Sequence, residues 1–308
     1  MKMAEKFITP DQHEITIRKE KIWTGPQIIL TIIIIVFSLT CLLPFVNVAA
    51  VSLSSKSAIL RGEVSFWPVE FNTTAYEAIF SDKSMIRSLV FTVIITVVYT
   101  AFSMIMTILM AYPLTKKRLH GRSFFSFLAL FTMYFSGGII PAFLNIKELG
   151  LMDTPWALIL PGMLSTYNMI ILKSFFQALP NELEEAAIID GANDFQVLLQ
   201  IYLPLSMAAL ATLTLFYAVG KWNSFQDALY YIQNKAYQPL QLKLYHIIKG
   251  AQAVDVAAME GGSSTVATSV SESIEPATII FATLPILVVY PFVQRYFVAG
   301  VTIGAVKG

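Results

Sequence analysis

Apolar runs long enough to cross a lipid bilayer limit this chain more than any other feature. Ile28 to Val46 holds no charged residue. As a helix such a run reaches about 30 Å, the thickness of a bilayer's hydrocarbon core. Further runs lie at about 86–113, 124–144, 156–176, 205–222 and 278–297. In lipid every backbone N–H and C=O must find a partner inside the protein, which leaves helices and closed barrels. These runs are too long for barrel strands. The expectation is an all-α polytopic membrane protein with six transmembrane helices. Of the 308 residues, 56% are hydrophobic and 13% charged, against about a quarter charged in soluble domains.

Loop charge sets the expected orientation. Lys116, Lys117, Arg118, His120 and Arg122 crowd the loop after the second run, while 145–155 carries Lys147 against Glu148 and Asp153. Lys and Arg favour the cytoplasmic side. The loop 114–123 is therefore expected inside, 145–155 outside, and both termini cytoplasmic. The chain then divides into a tail at 1–27, a first span with its outer loop at 28–85, a core at 86–298 and a tail at 299–308. Val48-Ala49-Ala50 resembles a small-residue cleavage site, but the charged region before it is too long and the apolar run too extended for a signal peptide. Trp67 suits a membrane interface, and Asn72-Thr73-Thr74 reads as a turn or helix start. The single cysteine, Cys41, excludes a disulfide framework and is expected as a small buried hydrophobe. A net charge of +1 gives no sign of a nucleic-acid partner.

One stretch between two runs breaks the apolar pattern. Pro180 to Pro204 carries Glu182, Glu184, Glu185, Asp190 and Asp194. Each charge would cost about 2.5–3.5 kcal/mol at mid-bilayer, so the stretch must face water. Asn181 is expected to cap a helix with Glu184 at its third position, a capping-box spacing. Leu183, Ala186 and Ala187 fall on one face of it. Gly191 stops that helix with a left-handed cap. Asn193 caps a second helix, with Gln196 at its third position. Phe195, Leu198, Leu199 and Tyr202 are expected along its apolar side. Small residues exposed on the first helix would let another protein approach closely.

Glu185-Ala186-Ala187 is followed after three residues by Gly191, after nine more by Ile201, and after one more by Leu203-Pro204. This pattern resembles the EAA signature of the permease subunits of bacterial ABC importers, and every fixed position is matched. The resemblance extends from about Ile86 to the C-terminus. It implies the type I importer permease fold in the bacterial cytoplasmic (inner) membrane. It also implies that 181–203 forms coupling helices docking on a separate ATPase. The residues so implicated are Glu184, Glu185, Ala186, Ala187, Asp190, Gly191, Ala192, Leu203 and Pro204. The implied partners are a second permease, two ATP-binding subunits that hold ATP and Mg, and an extracellular solute-binding protein. The run Tyr290 to Phe297, with the ending Gly300 to Gly308, is similar to the branch that imports oligosaccharides and polysaccharide fragments.

The long segment 223–276 is expected on the outer side. Leu244, Ile247, Ile248 and Ala251 form an amphipathic face, read as a short surface helix, and 260–273 reads as a flexible linker. In the resembled branch this loop touches the binding protein. No phosphate-binding loop occurs, since Gly220-Lys221 lacks the upstream glycine, so the chain is expected to bind no nucleotide and to be no enzyme. His13, His120 and His246 lie apart, and no metal site is expected. Ionisable residues stand only near span ends: Arg87, Lys173, Lys221 and Arg295. A secondary carrier, which usually holds an acid or histidine inside the membrane, remains the alternative. Polar residues within the runs are Tyr99, Ser103, Ser136, Tyr167, Asn168 and Tyr217. Tyr99, Tyr167 and Asn168 are the candidates for a carbohydrate path, because aromatic faces meet sugar C–H groups and amides pair with hydroxyls. Gly137-Gly138 with Pro141 is expected to break the third run.

Overall fold

The computed structural model describes residues 25–259 and 268–305, with side chains at 25–250 and 273–291. The expectations for the tail 1–24, for 260–267 of the linker and for the last residues 306–308 lie outside that range. So do those for the side chains of Ala251 and of 292–297. The rest of the expected linker, 268–273, is helix instead. The described residues hold helices and no strand.

Helix α1, Gly25–Ser52, contains the first apolar run. Among the described residues its main packing partner is α10, described below, with Ser52 Oγ also bonded to Tyr76 OH at 2.8 Å near its end. Nearly all of its apolar side chains are exposed, Phe37 at 70% among them. Cys41 is exposed too, against expectation. A span packed mainly on one neighbour turns most of its surface to lipid or to a partner, so apolarity alone did not place Cys41 inside the fold. Trp67 is 82% exposed in the loop that follows.

Helix α2, Lys83–Ala111, is the axis of the fold. Asp82 caps it by accepting from the Ser84 N–H at 2.8 Å. Its 29 residues reach about 43 Å. Ser88, Thr92, Thr96, Thr100, Ser103 and Thr107 recur at helical spacing and are all buried. Val90, Val93, Ile94 and Val97 point out. Small hydroxyl residues let helix backbones approach where lipid removes the hydrophobic drive between spans.

The third expected span is two helices, α3 (Arg122–Tyr134) and α4 (Ile139–Glu148), bent by 114°. The break falls at 135–138, where Gly137-Gly138 were expected to put it. The fourth expected span is not one helix. Trp156–Ile159 is a single turn, and α5 resumes at Thr166–Gln177. Pro161-Gly162 separates them: proline lacks the N–H a helix needs, and Gly162 takes φ +70°. The short acidic helix α6 is Asn181–Ile189, α7 is Asp194–Val197, and α8 is Met207–Asn223. The segment 194–205 meets α8 at 83°. Helix α9 is Leu240–Met259, and α10 is Thr268–Ala305. Among the described residues three helices are long and apolar enough to cross a membrane, at Gly25–Ser52, Lys83–Thr115 and Ser273–Pro291; the two bent pairs bring that to at most five.

The segment after α8 differs most from its expectation. Its described part, 224–259, is largely helical and packs through 225–247 rather than forming an open loop. Leu240 and Leu242 are 0% and 1% exposed. The Leu240 N–H donates to Thr92 Oγ1 at 2.8 Å, well inside α2. Leu244 and Ile247, expected on a surface helix, pack with Met85, Ala277 and Phe281. Asp153, at φ +59°, accepts from the N–H groups of Gln233 and Asn234 at 2.5 and 2.7 Å. Its own N–H donates to the Tyr231 carbonyl at 2.9 Å.

Candidate functional site

The acidic stretch lies at the end of α2, far from the Leu240 contact. Pro180 starts α6 without a side-chain cap, and Asn181 is already inside the helix. The expected box between Asn181 and Glu184 does not form, because Glu184 is engaged elsewhere. Glu182 and Glu184 sit in the first turn, where the helix dipole favours negative charge. The other end is as expected. Gly191 takes φ +87°. Its N–H donates to the Ile188 carbonyl at 3.0 Å, and the Ala192 N–H donates to Ala187 at 2.9 Å. This pair of bonds is the Schellman termination.

Asn193 then caps α7 reciprocally. The Gln196 N–H donates to Asn193 Oδ1 at 2.9 Å, and the Asn193 N–H donates to Gln196 Oε1 at 2.8 Å. From Leu198 to Tyr202 the helix widens into a π turn. Pro204, which follows it, cannot donate back to Gln200, and its ring crowds that carbonyl. The widened turn breaks the uniform 3.6-residue period on which the apolar face was expected. Val197, Leu198 and Tyr202 are buried, but Phe195 and Leu199 are exposed. On α6, Leu183 and Ala186 are exposed as well, and only Ala187 packs against the apolar core.

Two ion pairs tie this element to the loop after α2. Lys116 Nζ lies 2.6 Å from Glu184 Oε2, with the side chains 10% and 17% exposed. Tyr202 OH donates to the same oxygen at 2.6 Å, and Lys116 Nζ donates to Tyr202 OH at 3.1 Å. Arg118 pairs with Asp194 in the open. Burial pushes the Glu184 carboxyl up, but the bonds from Lys116 and Tyr202, with the charges of Lys116 and Arg118, more than reverse that and hold it below the usual range. Leaving one buried member unpaired costs about 1–3 kcal/mol. Lys116 and Tyr202 were not singled out as partners of Glu184. Lys116 stands 68 residues away in a loop read for its total charge alone.

The residues proposed for a solute path do not converge. The Tyr99 hydroxyl donates to the Gly162 carbonyl at 2.8 Å, and its ring meets Tyr217 edge-on at 6.2 Å. Tyr217 OH bonds Thr107 Oγ1 at 2.7 Å and accepts from the Ser165 N–H at 3.0 Å. Asn168 is buried and faces inward, while its neighbour Tyr167 is 57% exposed. Consecutive residues on a helix cannot face the same way. Ser103 is buried, and Ser136 lies exposed at the α3–α4 break. Lys221 is buried, with Nζ bonded to the Leu158 carbonyl and 3.6 Å from Asp227.

A family model described as the inner membrane component of binding-protein-dependent transport systems matches residues 78–302. The chain belongs to this family. Its members are transport components of the inner membrane rather than enzymes, and this permease is one. It is 44% identical over 278 residues to the polygalacturonan/rhamnogalacturonan transport system permease protein YtcP of Bacillus subtilis, covering 89% of this chain and 96% of that one. It is also 44% identical to protein LplC of the same organism, over 87% and 90% of the two chains. Its fold is that of a chain in the crystal structure of a bacterial ABC transporter that imports the acidic polysaccharide alginate. The TM-score is 0.79, with 33% identity, over 90% of this permease and 99% of that chain.

Proposed function

We propose that this permease forms, with a second permease subunit, the membrane path of an ATP-driven carbohydrate importer, and that α6 docks on a separate ATPase. The observation that carries the docking role is the form of α6. It is a short exposed helix that presents Glu185, Ala186 and Ile189 outward and ends in a fixed left-handed turn. Small side chains and an exposed apolar face suit a groove on a partner. On this reading Asp190, Gly191 and Ala192 set the angle at which α6 leaves the chain, and Leu203-Pro204 sets its junction with α8. On this reading the chain crosses six times, with the broken segment 156–177 as one crossing, and both termini and α6 are cytoplasmic. Paired ATPase subunits hold ATP and Mg, and an extracellular binding protein delivers the solute against the packed segment 223–259.

The names of the similar proteins support the solute class. Polygalacturonan and alginate are both uronic-acid polymers, so the reading extends to acidic oligosaccharides. The test is purification through a tag on this chain, reconstitution, and uptake of labelled oligogalacturonate against neutral maltohexaose. Copurified ATPase activity, with uptake lost when that ATPase is inactivated, supports the reading. Uptake that survives without ATP but collapses with the ion gradient would make the protein a secondary carrier. Preference for maltohexaose would remove the acidic assignment alone.

A further inference from the structure

We infer that Lys116, Glu184 and Tyr202 form a buried strut that joins α6 to the end of α2, so that movement of the docking helix is delivered to that span. The inference rests on the docking role proposed above. Glu184 stands beside Glu185, yet it is not presented to a partner: its Oε2 already accepts from Lys116 and from Tyr202. Lys116 is a rigid extension of α2. The turn Pro113–Thr115 follows α2 directly, and the Lys116 N–H donates to the Pro113 carbonyl at 3.0 Å. The ammonium lies 4.2 Å from the ring centres of both Tyr112 and Tyr202. Those rings meet edge-on at 5.1 Å, and both rest on Phe176 of α5. A charge between two aromatic faces, out of water, is held in direction as well as in distance.

Few other contacts share the load. A cleft of about 510 Å³ opens on one side, lined by Tyr112, Arg118, Asp194 and Leu198 among others. A second of about 510 Å³ opens on the other, between Lys117 and Arg122 and the Asn181, Glu185 and Ile188 face of α6. The strut crosses between them. The neighbouring helix in sequence, α5, makes no side-chain hydrogen bond or ion pair with α6 among the described residues. The Arg118–Asp194 pair is more than half exposed at both partners, and such pairs hold weakly. Lys116 Nζ, Glu184 Oε2 and Tyr202 OH bond one another, so the three are positioning residues that set which span responds when α6 moves.

The strut is tested in the tag-purified complex, reconstituted in liposomes with its binding protein and labelled oligogalacturonate, by the ratio of solute imported to ATP hydrolysed. Lys116→Met is expected to keep the ATPase in the complex while the ratio falls at least tenfold. Tyr202→Phe, which keeps the ring and loses the hydroxyl, is expected to lower the ratio two- to fivefold. The exchange Lys116→Glu with Glu184→Lys is expected to recover at least half the ratio that Lys116→Glu alone destroys, which a general loss of folding would not allow. If Lys116→Met does not assemble, the other two variants decide. A normal ratio in Lys116→Met or Tyr202→Phe, or an exchange no better than the single change, would overturn the strut while leaving the docking role in place. A wild-type complex that carries no ATPase would overturn the docking role and the strut with it.

Discussion

Near the start of α2 the segment after α8 is held by buried hydrocarbon; beyond its end, past a last turn that is itself packed in hydrocarbon, α6 is held mainly by charge. Near the start, Leu240 and Leu242 are sealed against Thr92, Met85 and Ile95, and a backbone N–H enters the span's hydroxyl face. Near the end, Lys116 and Arg118 reach across clefts to Glu184 and Asp194. Apolar packing has no preferred direction and resists separation. An ion pair fixes direction and leaves space around it. The difference teaches which end of the bundle is built as a fixed body and which as a joint.

The largest expected effect tests the fixed end. Leu242→Ala removes a side chain that is 1% exposed, and such truncations cost about 2–5 kcal/mol. Melting of the purified protein in detergent should drop sharply. Phe195→Ala, at the joint, removes a larger ring that is 61% exposed, and should stay within about 0.5 kcal/mol of the parent. Equal losses would erase the contrast between the two ends.

Gly191→Val comes next and sharpens the account of the joint. Gly191 stands at φ +87°, and nothing within 4 Å would meet an added Cβ. The cost inside the chain is therefore backbone strain, about 1–2 kcal/mol and more for a β-branched residue. Any larger loss must arise at the partner that packs against α6. ATPase copurification should fall more steeply than the melting temperature. A variant that assembles and transports normally would show that the bend has no role in docking.

The two ends were not equally legible in the sequence. At the joint, Asn193, Gln196 and Gly191 announce themselves because caps are local: each is written within a few residues of the group it satisfies. The capping box at Asn181 failed because Glu184 had a better partner 68 residues away, and no local pattern records that. The apolar face from Phe195 to Tyr202 was misjudged because a proline at 204 widened the helix before it. At the fixed end the signal was weaker still. Leu240, Leu242, Leu244 and Ile247 alternate with Gln241, Lys243, Tyr245 and His246, a mixed pattern that suits a surface as well as a seam between spans. Of the buried hydroxyls of α2 only Ser103 was named from the sequence; Ser88, Thr92, Thr96, Thr100 and Thr107 were missed for the opposite reason. In lipid the inward face of a helix need not be its apolar face, and hydropathy cannot tell the two apart.

A smaller effect separates the charge at the joint from the packing around it. Glu184 is faced by Lys116, Tyr202 and Arg118, and its folded pKa lies below the usual carboxylate range of about 4.3. A depressed carboxyl stabilises the folded state above its unfolded pKa, and that contribution disappears as pH falls through the folded value. The stability gap between the parent and Glu184→Gln should be constant from pH 7 to about 5 and then narrow as pH drops below about 4. Melting at three pH values measures it. A gap that stays constant on acidification would mean that shape, not charge, holds Glu184.

The smallest effect on folding is expected one residue further on. Glu185 is exposed and makes no hydrogen bond or ion pair among the described residues. It is the fifth residue of α6, beyond the first turn in which a helix dipole contact is worth about 0.3–1 kcal/mol. Glu185→Ala should therefore leave melting within about 0.5 kcal/mol of the parent at every pH. Its neighbour Glu184, on the inward side, gives the paired control. If α6 meets an ATPase through its outer face, Glu185→Ala should weaken ATPase copurification without touching stability. Glu184→Gln should do the reverse, lowering stability while the ATPase stays bound. Gly191→Val should exceed Glu185→Ala in its effect on copurification, because a bent backbone displaces the whole face and a lost carboxylate removes one contact. A Glu185→Ala protein that melts early would place that carboxylate inside the fold, and one that binds its ATPase at full strength would leave docking to the alanines and the turn.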